Sequence, residues 1–218
     1  MILEHLPHLA TKTIVLASAS PRRLELLQLV GIKPRVVTST FDETLPKSGF
    51  RNGAEYAVAT SKGKALEVAE RLIHNQEFAD LIIGADTVVE LDGDILEKPD
   101  DASHAASMLS RLSNREHLVH TGTTLVLSAN GLQQNLADGI EVHTFAETTA
   151  VQFGKISEQE VAAYISTGEP FGKARAYGIQ GAASVFVKHI NGDYFNIMGF
   201  PLHSFATVLS DLISKKRL

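Results

Sequence analysis

Hydrophobic and polar positions along this chain follow two periods, and the switching between them predicts alternating strands and helices. Apolar runs typical of strands cover Ile14–Ala17, Arg35–Thr38, Leu81–Glu90, Leu118–Leu127, Ile140–Phe153 and Ser184–Ile190. Helical spacing appears after Pro21 and in Ala54–Ile73, Ser103–Leu112, Glu158–Ser166 and about Pro201 to Ser214. The pattern predicts an α/β fold, in which a mixed sheet is flanked by helices.

A tight turn at Asp92-Gly93 joins two short apolar segments, as in a β-hairpin. We expect this hairpin to hold Asp86 and Lys98 on neighbouring strands. The sequence contains no repeat and no Pro/Gly-rich linker that would divide it. We therefore predict one catalytic domain over residues 13–214, preceded by an N-terminal extension at residues 1–12.

Composition narrows the class of protein. The 218 residues carry a formal net charge of −5 without a long basic run, which argues against nucleic-acid binding. The chain has no cysteine, which excludes disulfides, zinc–thiolate sites and a thiol nucleophile, and suits a reducing compartment. Residues 1–12 resemble neither a signal peptide nor a membrane span. We expect a cytoplasmic protein that does not contact membranes.

The segment Ser18-Ala19-Ser20-Pro21-Arg22-Arg23 has the features of an anion-binding turn. It links a strand to a helix, with Ser20 at the N-cap position and Pro21 at the first helical position. The unpaired N–H groups and the positive dipole end of such a helix attract anions, and arginine forks onto phosphate oxygens. The alternative is that Arg23 is only a solvated surface charge.

The same segment resembles the opening signature of the Maf family of nucleoside triphosphate pyrophosphatases. Further stretches extend the resemblance in order, from about residue 13 to about residue 210: Gly84-Ala85-Asp86-Thr87, Leu96-Glu97-Lys98-Pro99, Leu112 to His117, Gly168-Glu169-Pro170 and Tyr177-Gly178-Ile179-Gln180-Gly181. The resemblance implies a fold like that of inosine triphosphate pyrophosphatases, with a ligand cleft between two lobes. It also implies hydrolysis of a nucleoside triphosphate to the monophosphate and pyrophosphate with Mg²⁺ or Mn²⁺, and an assembly that is often a homodimer.

Asp86 is the candidate catalytic residue. It ends the apolar run Leu81–Ala85, where α/β sheets place ligands, although an Asp there could also cap a turn. The resemblance assigns Asp86 the activation of the attacking water. A carboxylate could do this as a base or as a metal ligand, and the two roles stay open. The resemblance adds Glu43, and more weakly Asp42, as acidic groups facing the metal.

The candidate substrate-binding residues are Ser18, Arg22, Arg23, Lys64, Thr87, Lys98 and Gln180. Lys64 lies at the edge of the apolar stripe of its helix, where lysines commonly reach out to water; the resemblance places it against the phosphates. The amide of Gln180 can pair with the edge of uracil or thymine, or it can stabilise a turn. Because Tyr-Gly-Ile-Gln-Gly resembles the dTTP/UTP-hydrolysing branch, we favour pyrimidine substrates.

Two residues depart from the family pattern: Gly172 stands where an Asp is usual and Arg175 where a Gly is usual. These changes bear on efficiency and substrate range. Two other classes of function therefore stay open: a purine or 7-methyl-GTP-type pyrophosphatase, and a non-catalytic nucleotide-binding regulator of cell division. His117 and His120 lack metal-ligand spacing, and we interpret His117 as a structural residue.

Overall fold

A computed structural model describes residues 2–96, 98–128, 140–171 and 177–218 of the chain. Its strands are β1 (Ile14–Leu16), β2 (Arg35–Val36), β3 (Leu81–Leu91), β4 (Asp94–Leu96), β5 (Glu116–Ser128), β6 (Ile140–Phe153) and β7 (Val187–Asn191). In the described residues they form one sheet of seven strands in the order β2-β1-β3-β5-β6-β7, with β4 paired to β3. The pairs β1–β2 and β1–β3 are parallel and the others antiparallel, so the sheet is mixed.

Helices lie on both faces of this sheet. They are α1 (Leu6–Leu9), α2 (Pro21–Leu29), α3 (Gly53–His74), α4 (Ala102–Leu112), α5 (Glu158–Ser166), α6 (Tyr194–Met198) and α7 (Leu202–Ser214), with 3₁₀ turns at Ile2–His5, Lys47–Gly49 and Ala182–Phe186. In the part of the chain that the structure describes, no helix is long and apolar enough to cross a membrane. The predicted α/β class and mixed sheet are confirmed.

Alternate residues of the central strands face opposite layers of the core, as the two-residue period of a strand requires. Val15 and Ile82 pack with the apolar side chains of α3 on one face. Leu16 and Ile83 belong to the larger core on the other face, which includes residues from α2, α4, α5 and α7. Ile2 and Leu9 are buried in that larger core as well, so residues 2–9 pack onto the body of the protein.

Helix α3 approaches the sheet unusually closely because glycines lie beneath it. A Cβ built at Gly84 would meet the backbone oxygen of Ser61 at 2.4 Å, and one built at Gly122 would meet the Ala57 carbonyl carbon at 2.3 Å. Gly84 and Gly122 are on β3 and β5, on the face that also carries Asp86. The missing side chains therefore let α3 lie directly over the strand segment that presents Asp86.

The Asp92-Gly93 hairpin is confirmed: β3 and β4 pair antiparallel with Val89 opposite Leu96, and both turn residues have positive φ, of 54° and 83°. Such a turn fits the twist of its strands. Lys98, however, lies beyond the end of β4, so the expectation that it lies on a strand beside Asp86 is wrong.

The strand predicted at Leu81–Glu90 is confirmed as β3, which pairs with β5 along its length. Asp86 lies in the middle of this strand, opposite Gly122, so its expected placement at a strand end is wrong. The predicted strand Ser184–Ile190 begins as a 3₁₀ turn, and only Val187–Asn191 forms β7. Helices α1 and α6 were not predicted because four and five residues are too short to show a helical period.

Candidate active site

A cleft of about 540 Å³ opens at the edge of β3. On that edge β1 pairs with residues 81–83, and β4 pairs with residues 89–91. Asp86 lies between these two paired stretches. The segment that connects β1 to α2 passes this part of β3. The described residues that line the cleft include nine of the ten predicted site residues: Ser18, Arg22, Arg23, Glu43, Lys64, Asp86, Thr87, Lys98 and Gln180. Asp42 is not among the lining residues, and its carboxylate instead accepts from the N–H and hydroxyl of Thr44.

Two carboxylates and an ammonium group form the floor of the cleft. The Lys64 Nζ lies 2.8 Å from Asp86 Oδ1 and 2.8 Å from Glu43 Oε2. Lys64 and Asp86 are 7% and 6% exposed, whereas the Glu43 side chain is 49% exposed. Buried charges need such partners because water is excluded. Lys64 is thus not a lysine that reaches out to solvent, and that alternative is wrong.

Arg23 is buried and joins three separate parts of the chain. Its guanidinium donates to Ser18 Oγ at 3.0 Å, to Thr87 Oγ1 at 3.2 Å and to the Gly199 carbonyl at 3.0 Å. These acceptors are neutral, so the positive charge is not cancelled by direct contact with them. Burial lowers the pKa of Arg23, while the charges of Asp86 and Glu43 oppose that shift. The interpretation of Arg23 as a solvated surface charge is wrong.

The turn that begins α2 borders the cleft beside Arg23. Ser20 occupies the N-cap position and Pro21 the first helical position, as predicted, but the Ser20 side chain makes no capping hydrogen bond. Ser18 Oγ instead accepts from the Ser20 N–H at 3.2 Å. Arg22 is half-buried and Lys98 is exposed, and both line the cleft. Together with the helix N-terminus they make this rim suited to an anion.

The segment 177–182 borders the cleft on another side. Gln180 is exposed in the cleft, and Tyr177 is buried beneath it. The Tyr177 hydroxyl lies 2.6 Å from His117 Nε2, and the two rings pack edge to face. His117 is therefore a buried residue of the core beneath the cleft, in agreement with its interpretation as structural.

Asp86 and Glu43 could together hold a divalent cation. Their oxygens converge on the one Lys64 ammonium, so both carboxylates face the same small volume. Among the described residues there is no group of three or more His, Asp or Glu side chains that could hold a metal. This donor set fits Mg²⁺, which takes one or two carboxylates and completes its shell with phosphate oxygens and water.

Met198 and Gly199 also line the cleft, and sequence reasoning did not identify them. Gly199 ends α6 with φ of 113°, in the left-handed region, and its carbonyl accepts from Arg23. The glycine before Phe200-Pro201 is a helix-stop signal that could have indicated the end of a helix, though not its place at the site. Gly172 and Arg175 lie outside the described residues.

Comparison with known proteins identifies similar chains. The family model described as "Maf-like protein" matches residues 13–212. A protein of Homo sapiens named "Probable bifunctional dTTP/UTP pyrophosphatase/methyltransferase protein" is 46% identical over 92% of this chain; the match spans only 32% of the human protein.

Two bacterial relatives match over nearly their whole length. The "dTTP/UTP pyrophosphatase" of Geobacillus sp. (strain WCH70) is 44% identical over 88% of this chain and 93% of its own. That of Pelotomaculum thermopropionicum is 42% identical over 91% of this chain and 95% of its own.

Proposed function

Because this chain belongs to the Maf-like protein family, we propose that it is a nucleoside triphosphate pyrophosphatase that hydrolyses dTTP and UTP to the monophosphate and pyrophosphate. The observation that carries the proposal is the Lys64–Asp86 pair on the floor of a cleft whose rim carries Arg22, Arg23 and Lys98. A carboxylate surrounded by cations suits the attack of water on a polyphosphate, since both the nucleophile and the leaving group need charge stabilisation.

Asp86 is the proposed activator of the attacking water. Its Oδ1 is engaged by Lys64, and its second oxygen is free of that contact and can accept a proton or a hydrogen bond from water. Lys64 holds the carboxylate in one orientation through this hydrogen bond, so the second oxygen keeps a fixed direction into the cleft. A positioned general base of this kind contributes about 10²- to 10⁴-fold to the rate.

The cations are the proposed stabilisers of the departing pyrophosphate. Cleavage between the α- and β-phosphates develops negative charge on the β-phosphate oxygen. Arg23 offers a buried charge whose protein acceptors are neutral, while Arg22 and Lys98 are more exposed and adapt to the outer phosphates. Donors that are fixed before the reaction stabilise such charge at little reorganisation cost.

Glu43 and Asp86 are the proposed residues that hold a divalent cation, Mg²⁺ or Mn²⁺. A bound cation would polarise the phosphate and lower the pKa of a coordinated water. The Glu43 carboxylate is exposed and can leave Lys64 to bind a cation. Lys64 would then still be paired with Asp86, so no buried charge would lose its partner.

Gln180 is the proposed reader of the base. The amide has one acceptor and two donors, and it can face the N3–H and a neighbouring carbonyl of uracil or thymine. Its exposed position on the cleft, on the side bordered by residues 177–182, supports this role. We also propose a cytoplasmic location, which the cysteine-free composition supports, and a homodimer, as the family resemblance implies.

A panel of nucleotides with quantified pyrophosphate release tests the proposal. With Mg²⁺ or Mn²⁺, we expect dTTP and UTP to be hydrolysed with higher kcat/KM than ITP, ATP and 7-methyl-GTP. Preference for ITP or 7-methyl-GTP would support the purine-type alternative. Binding of nucleotide without turnover of any member of the panel would favour the regulatory alternative.

A further inference from the structure

We propose that Glu169 is a positioning residue for base recognition: its carboxylate fixes the segment 177–182 so that Gln180 faces the base. The inference rests on the proposed function, because it assumes that Gln180 reads a pyrimidine. Glu169 lies outside the residues that line the cleft, half-buried after the end of α5. Its proposed action on the substrate is through the segment that it holds.

The carboxylate of Glu169 binds the C-terminal end of the segment. Its Oε2 accepts from the backbone N–H of Ala182 at 2.8 Å, and its Oε1 accepts from the Tyr164 hydroxyl at 3.2 Å. Burial, followed by the charge of Glu169, raises the pKa of Tyr164, so the hydroxyl stays protonated and can donate. The backbone N–H of Gly178 faces the same hydroxyl and partly opposes that rise in pKa. Glu169 and Tyr164 thus lie against the segment on both sides of Gln180.

Gly181 is the position where the carboxylate reaches the backbone. A Cβ at this position would lie 1.9 Å from Glu169 Oε1, a distance that no real contact reaches. The φ of Gly181 is −104°, which other residues adopt readily, so a side chain here would conflict first with the Glu169 carboxylate, which can move aside. A side chain at position 181 would therefore push the Glu169 carboxylate away from the Ala182 N–H. Gly181→Ala thus breaks the same contact as a substitution of Glu169 does.

The N-terminal end of the segment is held independently. Tyr177 is buried against the core and hydrogen-bonded to His117 at 2.6 Å, and its ring packs on Phe153 with centroids 4.8 Å apart. Between the two ends the backbone closes a turn, with the Gly181 N–H donating to the Gly178 carbonyl at 2.9 Å. Gln180 lies within that turn, so its direction depends on both attachments.

Loss of the Glu169 contact has a specific consequence. The phosphate-facing groups Arg23, Lys64 and Asp86 are on α2, α3 and β3, and the Glu169 contacts described above include none of them; of the phosphate-facing groups, Arg22 is the one whose charge reaches Tyr164. Releasing Ala182 should therefore weaken discrimination between bases more than it weakens binding of the triphosphate. A general loss of structure would weaken base discrimination and triphosphate binding to the same extent. The two measurements together therefore distinguish a positioning role from a purely structural one.

The test measures dissociation constants of α,β-methylene-UTP and α,β-methylene-ATP, which cannot be cleaved between the α- and β-phosphates, for the full chain and its variants. We expect Glu169→Ala and Gly181→Ala each to lower the preference for the uridine compound by about threefold to tenfold, the effect of one hydrogen bond. The double variant should lose no more than the larger single effect, because both changes break one contact.

Conservative and control variants complete the experiment. Glu169→Gln keeps an amide oxygen for the Ala182 N–H and should retain most of the preference. Glu158→Ala removes an exposed carboxylate from the first turn of α5 and should leave the preference unchanged. Melting temperatures identify any variant that fails to fold. Among folded variants, a preference that is retained in Glu169→Gln and reduced in Glu169→Ala shows that the hydrogen bond to Ala182 positions the segment.

Three results would overturn the proposal: an unchanged preference in folded Glu169→Ala, equal weakening of both compounds in that variant, or a wild-type protein that binds both compounds equally. A wild-type protein that prefers the uridine compound but releases no pyrophosphate from UTP would instead refute the proposed function, and the effect of Glu169→Ala on that preference would still decide the role of Glu169.

Discussion

Gly84→Ala is the substitution that most directly links packing to catalysis in this structure. The added Cβ would lie 2.4 Å from the Ser61 carbonyl oxygen and 2.8 Å from the Ala65 Cβ, both on α3. One contact is with backbone, so no side-chain rotation removes it, and α3 must move away from β3. Lys64 lies between these two contact points on the same helix, and its ammonium is 2.8 Å from Asp86.

The size of the effect follows from these distances. Carbon atoms pack at about 3.5–4.0 Å, so α3 must move outward by roughly 1 Å. A displacement of about 1 Å at reacting groups costs ~10²-fold in rate. The long Lys64 side chain can follow part of the shift, and we expect kcat to fall by about 10- to 100-fold. Overpacking costs about 1–3 kcal/mol, which lowers the Tm by about 2–12 °C in a chain of this size.

The assay is pyrophosphate release from UTP together with a thermal melt. Gly49→Ala is the matched control, because a Cβ at Gly49 meets nothing within 4 Å and should change neither value appreciably. If folded Gly84→Ala kept a kcat within twofold of wild type, the close approach of α3 would not be what positions Lys64 against Asp86.

Three further substitutions test the site and its surroundings. Asp86→Asn should lower kcat for UTP by ~10²-fold or more while the protein still melts cooperatively; near-normal kcat at an unchanged Tm would make Asp86 purely structural. Gln180→Ala should reduce kcat/KM for UTP and dTTP by about 2- to 10-fold more than for purine nucleotides, and an equal loss for all bases would exclude base reading. Burial lowers the pKa of His120 below 6.5, and the charge of Glu90 opposes this shift. The unfolded chain therefore binds a proton at His120 more readily than the native state does. Stability should therefore fall as the pH drops below about 6.5 toward the native pKa of His120, and His120→Asn should reduce that slope in melts recorded between pH 8 and 5; an identical slope in both proteins would refute the assignment.

The sequence indicates local features of this fold well. Apolar periodicity predicts β6 and α5 with the bounds that the structure has, since both are long enough or well enough capped to show a pattern. The Ser157–Glu160 capping box is a local signal of this kind, and both of its hydrogen bonds are present.

Contacts between distant parts of the chain are harder to predict. The Arg23–Gly199 hydrogen bond spans 176 residues, and no local pattern separates a buried Arg23 from an exposed one. The apolar run Leu81–Ala85 stops before Asp86, which on its own indicates a strand end, yet pairing with β5 carries the strand onward. The role inferred for Glu169 likewise depends on Gly181, which only the folded chain brings against it.

Identification of the products formed from UTP and dTTP tests the central claim most directly. With a divalent cation present, the account predicts that the monophosphate and pyrophosphate appear together and in equal amounts from the first turnover, as resolved by ion-exchange chromatography. Accumulation of UDP or dTDP with orthophosphate would contradict it, because the cleft would then direct water to the wrong phosphoanhydride bond.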